Sequence, residues 1–430
     1  MIARLMYLLK KHILITLPIM LFVFCIIGYI LLVLSYCLPT QIIREHIKED
    51  YLSVVSVGEW IPGHDDTVPD YYTDSIMLLE AEYDSRDSVF LSAIKSPRAL
   101  LPDTGYVYET FLKFNEENDN IFYEYDYFRY WHGYLIILKP LLFLFNLGTV
   151  KYIMILFQFI LIFSFIYYGT KSELSFKYLI PVLAAYIYIN PITIGLSLQY
   201  NTVYSITLLS LIILFIDYKD RRLLGEGFMI YFLMIGILTS YFDLMTYPIV
   251  SFGVPVIYYF LLYCLNEKKD YIKFFIALIC WGIGFAGMWI GKWIFSIVIF
   301  GKKAVNDILN SISIRTGFDA SESFEGEYIT FSNVLYKNLS VQIVYGTLII
   351  IIAGLVLLFG ITRKKIQFKN IRTSFLVICF LISLIPFIWY FFMPNHSYIH
   401  YWFTYRSLAV SVCAILMFSF AVVDRIGDGK

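Results

Sequence analysis

Charge is scarce in this chain. Only 15% of its 430 residues are Asp, Glu, Lys or Arg, against about 25% in an average soluble domain. With 59% hydrophobic residues and a mean hydropathy of +0.71, that deficit excludes an ordinary soluble globular domain. The formal net charge is zero, so there is no basic footprint for nucleic acid. Paired cysteines are missing too. The six cysteines (Cys25, Cys37, Cys264, Cys280, Cys379 and Cys413) lie in or beside apolar runs, with no CxxC, which points to neither a disulfide framework nor a thiolate metal site. They read as small apolar filler in helices. No internal repeat stands out, and this disfavours a transporter built from inverted halves.

What the sequence does have is apolar runs and rings. Aromatics make up 19%, dominated by 37 Tyr and 38 Phe. Tyr suits a membrane interface, where ring and hydroxyl are each satisfied. The first run, residues 13–38, follows Arg4, Lys10, Lys11 and His12. It is longer than the apolar core of a signal peptide, roughly 7–15 residues, so it reads as an uncleaved helix with its amino terminus in the cytoplasm. Further runs follow at about 150–168, 178–194, 203–216, 228–241, 248–265, 274–300, 342–361, 375–392 and 401–423. The expectation is an all-α polytopic membrane protein, one domain over 1–430, with about ten transmembrane helices. Charge placement supports the count. The ends assigned to the inside carry Lys171 and Lys177; Lys219, Arg221 and Arg222; Lys268, Lys269 and Lys273; Arg363, Lys364, Lys365, Lys369 and Arg372; and Arg425 and Lys430. Both termini are then cytoplasmic, and the aromatic-rich usage suggests a bacterial cytoplasmic membrane.

Two long polar stretches break the pattern. Residues 38–148 form a mixed extracytoplasmic loop, and residues 301–338 a second one carrying Arg315, Asp319, Glu322, Glu325 and Glu327. In the first loop, Asp65 and Asp66, which follow His64, offer oxygen ligands to a divalent cation together with Asp70, although Pro62, Gly63 and Pro69 equally mark a plain turn. Asp74 can act as a base or as a helix cap. Residues 75–93 read as a partly helical, amphipathic stretch. Tyr123 to Tyr134 interleaves seven aromatics with Glu124, Asp126, Arg129 and His132, a composition that suits sugar stacking or an interfacial belt. Residues 134–145, broken by Lys139 and Pro140, are too short to span and read as an interfacial helix.

Several ionisable groups fall inside or at the ends of apolar runs. Lys292 is one, and such residues are functional candidates because they are costly there. Asp243 lies at an outer turn. His396 and His400 are four apart, with Arg406 beyond them, whereas the outer turns near Ser197, Asp243 and Asn395 carry no basic residue before it. An arginine fork suits a phosphate.

The layout resembles the GT-C superfamily of membrane glycosyltransferases, which includes the protein O-mannosyltransferases. The likeness rests on YTDSIM at 72–77, where that family has an acidic motif, and on WHGY at 131–134, where it has His-Pro. It rests also on LGTVK at 147–151, at the entry to the second helix. Ser75 replaces an acid and Gly133 replaces proline. The likeness covers roughly residues 1–220. It implies transfer of a sugar from a polyprenyl-phosphate-linked donor to an envelope glycan or lipid acceptor. In that scheme Asp74 is the base, Lys292 and Arg406 hold the donor phosphate, and Arg129, His132, Asp243 and His400 orient substrate. Asp65, Asp66 and Asp70 are weak metal candidates, and no cofactor is certain. The partners are the lipid-linked donor, the acceptor and membrane lipids, with no nucleic acid. An O-antigen-polymerase-like enzyme and a non-catalytic transporter, flippase or scaffold are the alternatives.

Overall fold

The computed structural model describes residues 13–55, 71–102, 106–116, 122–172, 174–264, 270–317, 329–362 and 373–424. His64, Asp65, Asp66 and Asp70 lie outside the described residues, as do the acids of residues 318–328. The chain is all-helical apart from one two-stranded ribbon among the described residues.

Among the described residues, six helices are long and apolar enough to cross a bilayer: Ile13–Tyr36, Leu147–Lys171, Asp270–Phe300, Ile343–Thr362, Thr373–Phe392 and the run Tyr401–Val423. Large apolar side chains such as Phe22, Val298 and Val344 are exposed on them, as lipid-facing residues are. Shorter apolar helices, Phe176–Tyr188, Asn201–Asp217, Gly227–Phe242 and Val250–Cys264, stand where the third to sixth crossings are expected. The chain is a multi-pass membrane protein.

Small residues set the closest approach in the bundle. Gly227–Phe242 packs along Asp270–Phe300. A Cβ at Gly236 would lie 2.1 Å from the Trp281 carbonyl, and one at Gly284 would lie 2.2 Å from the Leu233 carbonyl. The two backbones touch because neither glycine has a side chain, the usual device where lipid offers no hydrophobic drive between helices. The last crossing is the most enclosed, packed by Ile180–Tyr188, Ile343–Thr362 and Thr373–Phe392.

The first polar loop is folded, not merely solvated. It contributes helices Thr40–Val55, Tyr71–Glu82, Val89–Lys95 and Val107–Glu116. Between them the strands Arg98–Leu100 and Tyr123–Tyr125 pair antiparallel, with Arg98 opposite Tyr125. Residues 135–144 form one helix running through Pro140. Lys139, which looked like a break, is buried. Its Nζ donates to the Ala81 carbonyl at 3.0 Å and lies 4.7 Å from the centre of the Tyr36 ring. The second polar loop likewise forms helices at both ends, Lys302–Thr316 and Phe331–Val341.

Candidate functional site

The expected site residues separate into those consumed by the scaffold and those left facing a cavity. Asp74 belongs to the first group. It sits in the first turn of Tyr71–Glu82 and is buried. Its two oxygens accept from the backbone N–H of Leu198 (3.0 Å) and Gln199 (3.2 Å), so it clasps the turn between Pro191–Leu196 and Asn201–Asp217. Lys292 donates to the carbonyls of Ile94 (2.6 Å) and Ala93 (3.4 Å) at the end of Val89–Lys95. Arg406 donates through Nε to Ile189 O, through Nη1 to Trp402 O and through Nη2 to Thr193 Oγ1, all at 2.8–2.9 Å. Its guanidinium also lies 3.8 Å from the centre of the Tyr200 ring. All three expected phosphate- or proton-handling groups are fully or nearly fully buried, and each holds together segments distant in sequence.

His132 is enclosed as well. Its Nδ1 lies 2.9 Å from Glu80 Oε2 and 3.0 Å from the Tyr134 hydroxyl, which donates to the same carboxylate. Burial lowers the imidazole's pKa, and Glu80 opposes the shift. The ring packs 4.8 Å from Tyr127. His132 therefore positions Tyr127 and does not reach a cavity itself. His132 has φ +56, which turns the chain so that Gly133 N–H can donate to Tyr241 O at 2.9 Å. A Cβ on Gly133 would lie 2.3 Å from the Tyr241 ring. The position needs a free N–H and no side chain. Ser75 is buried, and its hydroxyl donates back to Tyr71 O at 2.6 Å.

Asp243 caps the turn after Gly227–Phe242. It accepts from the N–H of Thr246 at 3.0 Å and from the Thr246 hydroxyl. Burial pushes its carboxyl up to about 7, with the Thr246 bonds pulling the other way.

Arg129 and His400 belong to the second group. They line a cavity of about 660 Å3, within the range of small-molecule sites. Two residues that the sequence did not single out for this role, Arg98 and Arg315, join them there. Arg98 is delivered by a sharp turn. Ser96 takes the left-handed conformation after Val89–Lys95, Pro97 ends the helix, and the ribbon starts. Ribbon register then places the Arg98 guanidinium 4.8 Å from the centre of the Tyr125 ring. Arg129 is held by the Tyr125 hydroxyl (3.1 Å), by Asp307 (3.5 Å) and by Trp293, whose indole N–H donates to its carbonyl. Arg315 closes Lys302–Thr316, which is tied to the opposite wall where Asn395 donates to Ile314 O at 2.7 Å.

These arginines are under-used by the protein. Arg98 is 94% buried, yet its Nε and Nη1 meet no hydrogen-bond acceptor among the described residues, and neither does Arg315 Nε. Among the described residues no carboxylate appears in the cavity lining. Its remaining polar wall is Tyr72, Thr73, Tyr106, Tyr125, Tyr127, Ser311, Asn395, His396, His400 and Trp402. His396 Nε2 faces Met245 O at 2.8 Å and so carries the proton, which leaves Nδ1 as a lone pair without a donor. Burial first, then His400 and Arg315, hold His396 neutral. Burial and Arg315 push His400 down to about 3.

In comparisons with known proteins, no family model, no curated protein and no solved structure matches the chain.

Proposed function

We propose that the chain is a membrane glycosyltransferase of the bacterial cytoplasmic membrane. It has ten crossings, cytoplasmic termini and an outward-facing site. It moves a sugar from a polyprenyl-phosphate-linked donor to an envelope glycan or lipid acceptor. The supporting observation is the cavity lined by Arg98, Arg129 and Arg315, with no carboxylate among the described residues of its wall. Buried guanidiniums without acceptors are costly, and an anionic ligand relieves that cost. The faces of Tyr125 and Tyr127 beside them suit a sugar ring.

In the transfer, an acceptor hydroxyl oxygen attacks the anomeric carbon, and the bond from that carbon to the phosphate oxygen breaks. The electron pair leaves with the lipid phosphate, where the arginines meet the developing charge. The hydroxyl proton passes to His396 Nδ1, and Met245 O holds the imidazolium through Nε2–H. Asp74, Lys292 and Arg406 are positioning residues in this scheme, and His132 acts through Tyr127.

The test uses the full chain in nanodiscs with a polyprenyl-phosphate sugar and candidate acceptors. Arg98→Gln should weaken donor binding. His396→Gln should leave donor binding unchanged and lower the transfer rate by about 100-fold or more. Because His396 is held neutral, the acid limb of kcat/KM should lie well below pH 6.5. Wild-type protein that neither binds the donor nor turns it over overturns the reading.

A further inference from the structure

A second recess lies at the far end of the helix that helps to wall the arginine chamber. Thr73 and Ile76, early in Tyr71–Glu82, line the chamber, while Glu82 at its end lines a separate cavity of about 910 Å3. At 1.5 Å per residue, Thr73 and Glu82 stand about 14 Å apart along the helix. The ribbon contributes to both spaces as well. Arg98 and Tyr125 line the chamber, whereas Tyr123 and Glu124 line the recess. The transfer scheme above uses no group in this recess.

Its wall carries a run of rings. Phe114 meets Phe122 edge-on, with 5.2 Å between ring centres, and Tyr83 at 6.3 Å. Tyr123 follows Phe122 in the chain and is 44% exposed, although it stands in a paired strand. Fixed polar groups stand beside these rings. Glu124 accepts from Lys95 (3.2 Å) and from the Ser85 hydroxyl (2.7 Å), and Asp87 is held by the same Lys95. A carboxylate has about four acceptor sites, so both keep capacity to accept from a ligand, and both side chains remain partly exposed. Arg44 brings a planar donor group, fixed by its bond to the Phe114 carbonyl at 2.7 Å and by lying 4.1 Å from the centre of the Phe114 ring. Flat apolar faces beside immobile acceptors and donors suit a sugar. Its C–H face lies on a ring, and its hydroxyls, each both donor and acceptor, meet carboxylate and guanidinium.

We infer that this recess is a saccharide-binding subsite, which holds the body of an acceptor glycan whose end is extended in the arginine chamber. Saccharide binding in the recess stands on the recess alone. The acceptor role rests on the glycosyl-transfer reading and narrows its acceptor to an oligosaccharide, since one sugar cannot bridge about 14 Å.

The full chain in nanodiscs is titrated with neutral linear hexasaccharides of glucose, galactose, mannose and N-acetylglucosamine, with the matching monosaccharides and with a hexalysine peptide. Binding is followed by saturation-transfer NMR of the ligand. At least one hexasaccharide should bind about tenfold or more tighter than its monosaccharide. Tyr123→Ala should weaken that binding about fivefold or more, while Tyr123→Phe, which keeps the ring face, should retain it. Arg98→Gln, in the other space, should leave it within about twofold. An unchanged thermal midpoint in Tyr123→Ala, beside retained binding in Tyr123→Phe, separates a lost contact from lost folding. In transfer assays Tyr123→Ala should raise KM for the bound hexasaccharide about fivefold at unchanged kcat and leave a disaccharide acceptor of the same sugar unaffected. The inference is overturned if no hexasaccharide binds, or if binding survives Tyr123→Ala and disappears in Arg98→Gln. Hexalysine binding tighter than every hexasaccharide overturns it in favour of a basic-peptide site. Oligosaccharide binding with no turnover of any carrier-linked sugar removes the acceptor role together with the enzyme reading and leaves the saccharide site standing. Turnover with a KM for long acceptors untouched by Tyr123→Ala removes the acceptor role and leaves the enzyme.

Discussion

Replacing Asp74 by Asn separates a clasp from a catalyst. The carboxylate accepts two backbone N–H groups, from Leu198 and Gln199, in a site with 1% exposure. An asparagine keeps one acceptor oxygen and sets an NH2 against the other N–H. One charge-assisted bond is lost, worth about 1.5–3 kcal/mol, and a buried N–H is left unsatisfied for about 1–3 kcal/mol more. Relaxation of the turn recovers part of this, so a net loss of about 2–4 kcal/mol is expected. In a chain of this length that corresponds to a fall of roughly 3–6 °C in midpoint, by extension from smaller domains. The assay is thermal unfolding of purified protein in nanodiscs, run beside donor binding and sugar transfer below the midpoint. The expected result is a lowered midpoint with transfer kept within about tenfold, since a lost general base costs about 100-fold or more. An unchanged midpoint with transfer abolished would refute the clasp and restore Asp74 as the base.

Two further outcomes follow from groups described above. Gly133→Ala should destabilise by about 1–3 kcal/mol, because its Cβ falls 2.3 Å from Tyr241 ring atoms; Gly133→Pro should cost more, since it also deletes the N–H that reaches Tyr241 O, and chemical denaturation of the two variants would rank them. Asp243 has a carboxyl raised in the folded state from 3.8 to about 7, so its contribution is fully present below pH 3.8 and is lost as pH rises through about 7. Asp243→Asn should therefore improve in stability relative to wild type by on the order of 2–4 kcal/mol between pH 4 and pH 8; a difference that stays flat with pH would contradict the burial argument.

The crossings were legible because lipid demands runs of apolar residues, and such runs survive in the sequence whatever they pack against. Their breaks were not always legible. Lys139 and Pro140 suggested an interruption, yet one helix passes through both, because the lysine finds Ala81 O from across the fold. The second polar loop showed only charges in the sequence, while Lys302–Thr316 and Phe331–Val341 are helices that Asn395 and Asn338 tie to the segment around Ser397. The site was half legible. Arg129 and His400 were found through their aromatic and apolar settings. Arg98 was not, since nothing in SPRALL announces that a strand 25 residues on will bring Tyr123–Tyr125 beside it. Conversely, an intramembrane Lys292 and an outward Arg406 look like ligand handles until their acceptors, Ile94 O and Ile189 O, come into view nearly 200 residues or more away.

The little ribbon has a use out of proportion to its three pairs. Strand residues alternate sides, so sliding Arg98–Leu100 by one step against Tyr123–Tyr125 would swing a methyl group inward where the guanidinium now stands. The backbone would scarcely notice, but the chamber would forfeit a third of its cations. Fidelity of recognition is thus governed by how a short antiparallel pairing closes.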